Sequence, residues 1–198
     1  MDWYEDEVRM LEREREADPG PADPVAFYGS SSIRLWDDIA ADLGDPRIVN
    51  LGFGGSTLAA CAHYFGRVVV PYRPRSVVVY AGDNDLSDGR TPGQVHASFV
   101  DLLGQVDARL GAIPFAFLAI KPSPARWALT DSIRSANAMI KGDLAARPNS
   151  DYIDVFGPML GPRGRPRPEF YAGDGLHLSP EGYRLWAREI LAHRHTLF

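Results

Sequence analysis

The segment Val25-Ala-Phe-Tyr-Gly-Ser-Ser-Ser-Ile-Arg-Leu-Trp36 passes from a short apolar run, through a glycine and three serines, into a sequence with helical spacing. An apolar run that gives way to a 3.6-residue period is typical of a strand entering a helix. The same succession recurs along the chain. We therefore predict strands at Val25–Tyr28, Arg47–Leu51, Ser76–Ala81, Ile113–Ile120 and Tyr152–Phe156, with helices at Ile33–Leu43, Thr57–Val70, Gln94–Leu110, Thr130–Ala146 and Pro180–Ala192.

The predicted strands are short, apolar throughout and separated by helices. Strands of this kind are buried on both faces, and each connecting helix lets the next strand run parallel to the last. The predicted fold class is therefore α/β, a three-layer αβα sandwich with a five-stranded parallel sheet. The segment Gly82–Pro92 is predicted to be a polar loop, and Ser179 is predicted to cap the last helix.

Residues 1–18 are predicted to form an amphipathic helix ahead of a single domain, residues 19–198. Asp2 can cap this helix, with Glu5 three residues later as in a capping box. One face of the helix is apolar: Tyr4, Val8 and Leu11. The proline-rich segment Asp18–Pro24 then ends it. We expect the helix to pack on the body of the protein or on a second subunit, which leaves a homo-oligomer open.

Composition and charge exclude several classes of protein. The chain has 198 residues, 45% of them hydrophobic and 24% charged, which is ordinary for a globular protein. Its one cysteine, Cys61, excludes a disulfide framework and a cysteine-based metal cluster. No apolar run is long enough to span a membrane, and the acidic start of the chain is unlike a signal peptide, so we expect a cytoplasmic protein.

The net charge of −5 arises within residues 1–18, which hold eight acidic and three basic residues. The remaining residues are neutral in sum. A neutral body with an acidic leading segment argues against nucleic acid or an anionic membrane as a partner.

Polar loops follow the predicted strands. In a parallel sheet, ligands bind beyond the carboxyl ends of the strands, so these loops should lie along one rim. They are Gly29–Ser32, Gly52–Ser56, Gly82–Asp85, Lys121–Ser123 and Asp174–His177. Acyl transfer requires a hydroxyl nucleophile, a base, a carboxylate that orients the base, and donors for an oxyanion. The rim offers every one of these groups.

Four of these segments together resemble the GDSL/SGNH hydrolase superfamily, whose sequence blocks supply Ser, Gly, Asn and His in that order. The blocks here are Phe27–Ile33, Asn50–Ser56, Gly82–Asp85 and Asp174–His177, and the resemblance runs from about Val25 to Leu191. It implies a flavodoxin-like SGNH hydrolase fold, a serine hydrolase that cleaves small carboxylic esters, and no cofactor.

The resemblance also implies a role for each matching residue. Ser31 corresponds to the nucleophile, His177 to the base and Asp174 to the carboxylate that orients it. Gly55 and Asn84 correspond to oxyanion donors, together with the backbone N–H of Ser31. Ser30 stands where the family has an aspartate that supports the nucleophile turn.

Other readings of the rim remain open. An acyltransferase or a carbohydrate deacetylase would use the same residues, and a non-catalytic binding module would keep the rim for a ligand. Ser123, Trp127 and Arg165 are candidate substrate contacts, because they lie in loops that lead to the same rim. The segment with Ser123 and Trp127 is either a wall of the substrate pocket or a plain connector, and the loop with Arg165 is either solvated or binds an anionic group of the substrate. The loop that starts at Asp83 fails the calcium-loop template at its sixth and twelfth places, so no metal site is predicted.

Overall fold

The computed structural model describes residues 1–198 and contains one sheet of five parallel strands. The strands are β1 (Val25–Gly29), β2 (Ile48–Gly52), β3 (Ser76–Tyr80), β4 (Phe115–Leu118) and β5 (Ser150–Ile153). Their order across the sheet is β2-β1-β3-β4-β5. The predicted α/β fold with a five-stranded parallel sheet is confirmed.

Nine α-helices accompany the sheet: α1 (Glu5–Ala17), α2 (Ser31–Arg34), α3 (Ile39–Leu43), α4 (Leu58–Val68), α5 (Asp83–Ser87), α6 (Pro92–Leu110), α7 (Thr130–Ala146), α8 (Pro180–Leu191) and α9 (Arg194–Leu197). Short 3-10 turns lie at Asp2–Tyr4, Val70–Tyr72, Trp127–Leu129 and Pro168–Phe170. No helix is long and apolar enough to cross a bilayer.

The sheet is covered by helices on both faces, because successive strand residues point to opposite sides. Phe27 of β1 contacts Trp36, with ring centroids 6.4 Å apart. Its neighbour Tyr28 contacts Phe65 of α4 on the other face, with centroids 6.1 Å apart. The buried apolar side chains form one continuous core, to which Val8 and Leu11 of α1 also belong.

The predicted helix Ile33–Leu43 is wrong as a single element. The chain forms the short helix α2, leaves it, and becomes helical again in α3. Trp36 lies in the interruption and is only 1% exposed. Its ring packs against Phe27 and Trp186, and its Nε1 donates to Asp42 at 2.7 Å. The break therefore places a large aromatic side chain in the core.

The predicted capping box at the start of the first helix is also wrong. Asp2 belongs to a 3-10 turn, and no side chain caps α1. The Glu5 carboxylate instead accepts hydrogen bonds from Arg9 and Arg67.

The segment Gly82–Pro92 is not wholly a loop, because it contains α5. Gly82 has a φ of +118° and precedes this helix. Asp83 and Asp85 lie in its first turn, where the helix dipole favours negative charge. The predicted cap of the last helix is present, since the Ser179 side chain accepts the N–H of Gly182 at 3.2 Å.

Candidate active site

Ser31 lies where β1 ends and α2 begins. Gly29 makes the turn with a φ of +139°, and a Cβ at this position would collide with the carbonyl oxygen of Tyr80. The Ser30 N–H donates to the same oxygen at 2.9 Å, which ties the turn to β3. Because Ser31 is the first residue of α2, no helix carbonyl can accept its backbone N–H.

His177 connects Ser31 to Asp174, although Ser31 and His177 are 146 residues apart in the sequence. Its Nε2 lies 3.1 Å from the Ser31 Oγ, and its Nδ1 lies 2.5 Å from one carboxylate oxygen of Asp174. A carboxylate only accepts hydrogen bonds, so Nδ1 carries the proton and Nε2 is left to accept from the serine hydroxyl. The three side chains therefore form a chain that can remove a proton from Ser31.

The second carboxylate oxygen of Asp174 is occupied by the backbone. It accepts the N–H of Leu176 at 2.9 Å and the N–H of His177 at 3.0 Å. These bonds, the Leu176 bond foremost, and the imidazole lower the pKa of Asp174 to about 2. The Asp174 carboxylate is consequently charged above about pH 2.

Gly55 follows β2 and is exposed at the rim. Its φ of +67° is a left-handed conformation that favours glycine, and a Cβ there would meet no atom within 4 Å. Its N–H donates to no protein group.

Asn84 lies in α5 and its amide faces the loop that holds Gly55. Its Nδ2 donates to the carbonyl oxygen of Ser56 at 3.0 Å, which uses one of its two amide hydrogens. Its Oδ1 accepts from Arg126 at 3.0 Å. The neighbouring Asp85 accepts the N–H of Leu58 at 2.8 Å, so α5 contacts both this loop and the first residue of α4.

A buried charged cluster lies behind Asn84. Arg126 donates to Asp83 at 2.8 Å, and Lys121 lies 3.5 Å from the same Asp83 oxygen and 3.2 Å from the Tyr80 hydroxyl. Lys121 is 2% exposed, and burial lowers its pKa. The cluster fixes the Arg126 guanidinium that contacts the Asn84 side chain.

The three residues predicted to contact substrate have different surroundings. Ser123 is buried, and its Oγ accepts the N–H of Arg126 at 3.3 Å, so it supports the Arg126 loop. Trp127 is half-buried, and the exposed Arg165 guanidinium lies 4.9 Å from its ring centroid. Substrate contact by all three remains a prediction.

Arg126 and the buried role of Lys121 were missed by the sequence analysis. Lys121 carries a usable signal, because it is one of two lysines in the chain and directly follows the β4 apolar run. Arg126 carries no such signal, since its partners Asp83 and Asn84 are 43 and 42 residues away in sequence.

Comparison with protein-family models gives a match over residues 19–185 to the family described as GDSL-like Lipase/Acylhydrolase. A search of curated proteins found no significant match.

Solved structures of the same fold include three that illustrate the range. A protein from Bacteroides fragilis, described as a candidate acylhydrolase, has a TM-score of 0.83 at 21% identity, covering 96% of this chain and 97% of its own. A GDSL-like lipase from Bacteroides thetaiotaomicron has a TM-score of 0.79 at 22% identity, covering 96% of each chain. A catalytic mutant of an acetylxylan esterase from Geobacillus stearothermophilus has a TM-score of 0.72 at 16% identity, covering 90% of this chain and 96% of its own. At sequence identities of 16–22%, these similarities show a shared fold and nothing more.

Proposed function

The chain belongs to the GDSL-like lipase/acylhydrolase family, and we propose that it is a serine hydrolase that cleaves carboxylic esters through an acyl-enzyme on Ser31. The observation that supports this most directly is the hydrogen-bonded chain from Asp174 through His177 to the Ser31 hydroxyl.

In the first half of the reaction, the Ser31 Oγ attacks the ester carbonyl carbon while the His177 Nε2 takes the hydroxyl proton. The carbonyl oxygen becomes an oxyanion, and three donors converge on it: the N–H groups of Ser31 and Gly55 and the Asn84 amide. His177 then returns the proton to the leaving alcohol as the tetrahedral intermediate collapses to the acyl-enzyme.

In the second half, a water molecule replaces the alcohol. His177 takes a proton from the water, the resulting hydroxide attacks the acyl carbon, and the serine oxygen leaves with the proton that His177 gives back. Asp174 remains a carboxylate throughout, because its pKa is about 2, and it stabilises the imidazolium formed in each half.

Labelling by a fluorophosphonate tests this proposal. We expect wild-type protein to hydrolyse p-nitrophenyl acetate, to keep that activity in EDTA, and to lose it when a fluorophosphonate modifies Ser31. Ser31→Ala should abolish turnover and labelling because the nucleophile is gone, whereas Ser32→Ala, at a neighbouring hydroxyl that is 2% exposed, should retain most activity.

Mass spectrometry of the labelled peptide distinguishes the adjacent serines. An adduct on Ser30 or Ser32, or activity that EDTA removes and zinc restores, would refute the mechanism. A wild-type protein that neither reacts with the fluorophosphonate nor cleaves esters would instead be a binding module. Added alcohols that divert the acyl group from water would identify an acyltransferase.

Acetylated carbohydrates are the first natural substrates to test. The Trp127 ring, half-buried beneath Arg165, offers an aromatic surface in a loop that leads to the rim. A fold relative is described as an acetylxylan esterase. Release of acetate from acetylated xylo-oligosaccharides, compared with that from simple alkyl acetates, measures this preference.

A further inference from the structure

We propose that the first helical segment, which consists of the 3-10 turn Asp2–Tyr4 and α1, positions the oxyanion loop, residues Phe53–Ser56, and that it acts through Tyr4 and Glu7. The inference rests on the proposed function, since it concerns the loop that would hold the Gly55 N–H against the substrate oxyanion.

The oxyanion loop contains two consecutive glycines, Gly54 and Gly55, so its own backbone does little to fix its conformation. Its start is held by β1, because the Phe53 N–H donates to the carbonyl oxygen of Gly29 at 2.9 Å. Its end is held by Asn84, which donates to the carbonyl oxygen of Ser56 at 3.0 Å. The two glycines between these points need a further support.

Residues of the first helical segment supply that support on both sides of one peptide unit. The Glu7 carboxylate accepts the Gly54 N–H at 2.7 Å, and the Tyr4 hydroxyl donates to the carbonyl oxygen of Gly55 at 3.2 Å. The first bond anchors the peptide between Phe53 and Gly54, and the second anchors the peptide between Gly55 and Ser56. The peptide between Gly54 and Gly55, which carries the Gly55 N–H, lies between them. Fixing its neighbours fixes the direction of that N–H and leaves it free for an oxyanion.

Glu7 also reaches the helix that starts with Ser31. Its Oε2 lies 3.6 Å from the Nε of Arg34 in α2. A Cβ at Gly54 would crowd both partners, lying 2.9 Å from a Glu7 oxygen and 3.2 Å from the Arg34 Nε. One carboxylate thus connects the loop of one proposed oxyanion donor with the helix of the proposed nucleophile.

Ion pairs and a hydrogen bond hold the first helical segment against α4. Arg67 pairs with Glu5 at 3.0 Å and with Glu12 at 2.7 Å. The Tyr64 hydroxyl donates to the Met1 carbonyl oxygen at 2.8 Å, and the Tyr4 ring packs edge-on against the Tyr64 ring. Because these contacts do not involve the glycines, docking of the helix and positioning of the loop can be separated by mutation.

Three variants and one control test the proposal. Removal of a whole oxyanion donor lowers kcat by about 10²–10³, so a misdirected donor should cost less. We expect Glu7→Ala to lower kcat for p-nitrophenyl acetate about tenfold with little change in KM. Glu7→Gln, whose amide oxygen can still accept from Gly54, and Tyr4→Phe, which keeps the ring contact, should each lower kcat about threefold. Glu12→Gln weakens docking without touching the loop and should keep the wild-type kcat.

A transition-state analogue gives a readout that a loss of folding would not mimic. An alkyl trifluoromethyl ketone forms a hemiketal when the Ser31 Oγ adds to its carbonyl carbon, the carbonyl electron pair moves to oxygen and the hydroxyl proton passes to His177. Its Ki should rise about tenfold in Glu7→Ala and stay unchanged in Glu12→Gln. Amide hydrogen exchange at Gly54, whose N–H is bound by Glu7, should be faster in Glu7→Gln and Tyr4→Phe when measured without substrate.

The outcomes separate the two proposals. An inert wild-type protein refutes the ester hydrolase. An active wild type whose kcat, Ki and loop exchange are unchanged in Glu7→Gln and Tyr4→Phe overturns the positioning role alone. Equal losses in Glu7→Ala and Glu12→Gln also overturn it, because α1 would then act only through docking. If Glu7→Ala does not fold, the two near-isosteric variants decide.

Discussion

Asp174 accepts three hydrogen bonds with two oxygens: one from the His177 imidazole and two from backbone N–H groups. An asparagine would present an NH₂ group in place of one oxygen. It could keep the backbone bonds or the imidazole bond in its present form, but not both. The tautomer that leaves Nε2 able to accept from Ser31 therefore depends on a carboxylate at this position.

We predict that Asp174→Asn lowers kcat/KM by about 10³–10⁴, because the imidazole loses the partner that fixes its tautomer and stabilises its charged form. Asp154→Asn is a matched control, since Asp154 accepts the N–H groups of Phe156 and Gly157 at 2.9 and 3.0 Å but contacts no imidazole. Ester hydrolysis by the two purified variants measures the difference. Similar activities would remove Asp174 from the mechanism.

Asn84 and Arg126 form the other decisive pair of side chains, because the guanidinium holds the amide oxygen and thereby aims the NH₂ group. We predict that Asn84→Ala lowers kcat by about 10²–10³ with little change in KM, since the contact strengthens only in the transition state. Arg126→Ala should lower kcat less, and the double variant should match Asn84→Ala, because both changes affect one donor.

Arg134→Ala is the control for that series. Its guanidinium lies 5.2 Å from the Phe156 ring centroid and contacts neither Asn84 nor Asp83. Additive losses in the double variant, or a rise in KM without a fall in kcat, would make Arg126 a substrate contact instead of a positioning residue.

At the scale of the elements, the sequence predicts β1 and β3 to within one residue at each end, whereas the predicted strand Ile113–Ile120 overruns β4 by two residues at each end because the apolar run continues beyond the strand. Val25–Gly29 and Ser76–Tyr80 are buried along their whole length, so their apolar runs coincide with their ends. β5 lies at the edge of the sheet, and three of its four residues are only partly buried. The polar residues at the start of β5 give no apolar run. The buried Val155 and Phe156 lie beyond its end, so the predicted strand Tyr152–Phe156 is displaced toward the C-terminus.

Docking of α1 depends on two carboxylates and is therefore sensitive to acid. Hydrogen bonds from Arg67 lower the pKa of Glu5 to about 2 and also lower the pKa of Glu12. A carboxylate whose pKa falls on folding stabilises the native state above its ordinary pKa, and this contribution is lost as the pH falls through the lowered value. For Glu5 the loss runs from about pH 4.5 down to about pH 2.

We predict that Arg67→Gln lowers the urea midpoint of unfolding near neutral pH, and that its difference from wild type shrinks as the pH falls through that range. The physical reason is that protonated Glu5 and Glu12 gain nothing from the guanidinium. Arg188→Gln, which breaks an exposed pair with the adjacent Glu189, should lower the midpoint little at any pH. A difference for Arg67→Gln that is independent of pH would mean that packing of the Arg67 guanidinium on the Tyr64 ring, 5.5 Å from its centroid, dominates.

For the whole molecule, the candidate site could be predicted because a parallel sheet gathers the ends of its strands. Ser31, Gly55 and Asn84 each follow a strand, and strand order reverses beside β1. The contacts that hold these residues in place could not be predicted from the sequence. Glu7 meets Gly54 from 47 positions away, and an acidic residue on an amphipathic helix has the same pattern whether it contacts solvent or a loop.

The separation of Ser31 and His177 also has a consequence for biosynthesis. A ribosome makes the proposed nucleophile 146 residues before its base. During that interval the nascent polypeptide lacks His177, the proposed acceptor of the serine proton, so the proposed nucleophile is not activated toward esters. A fragment released by a premature stop before His177 would be inert for the same reason. Esterase activity would therefore require translation past His177, and incomplete products would show no esterase activity in a cell extract.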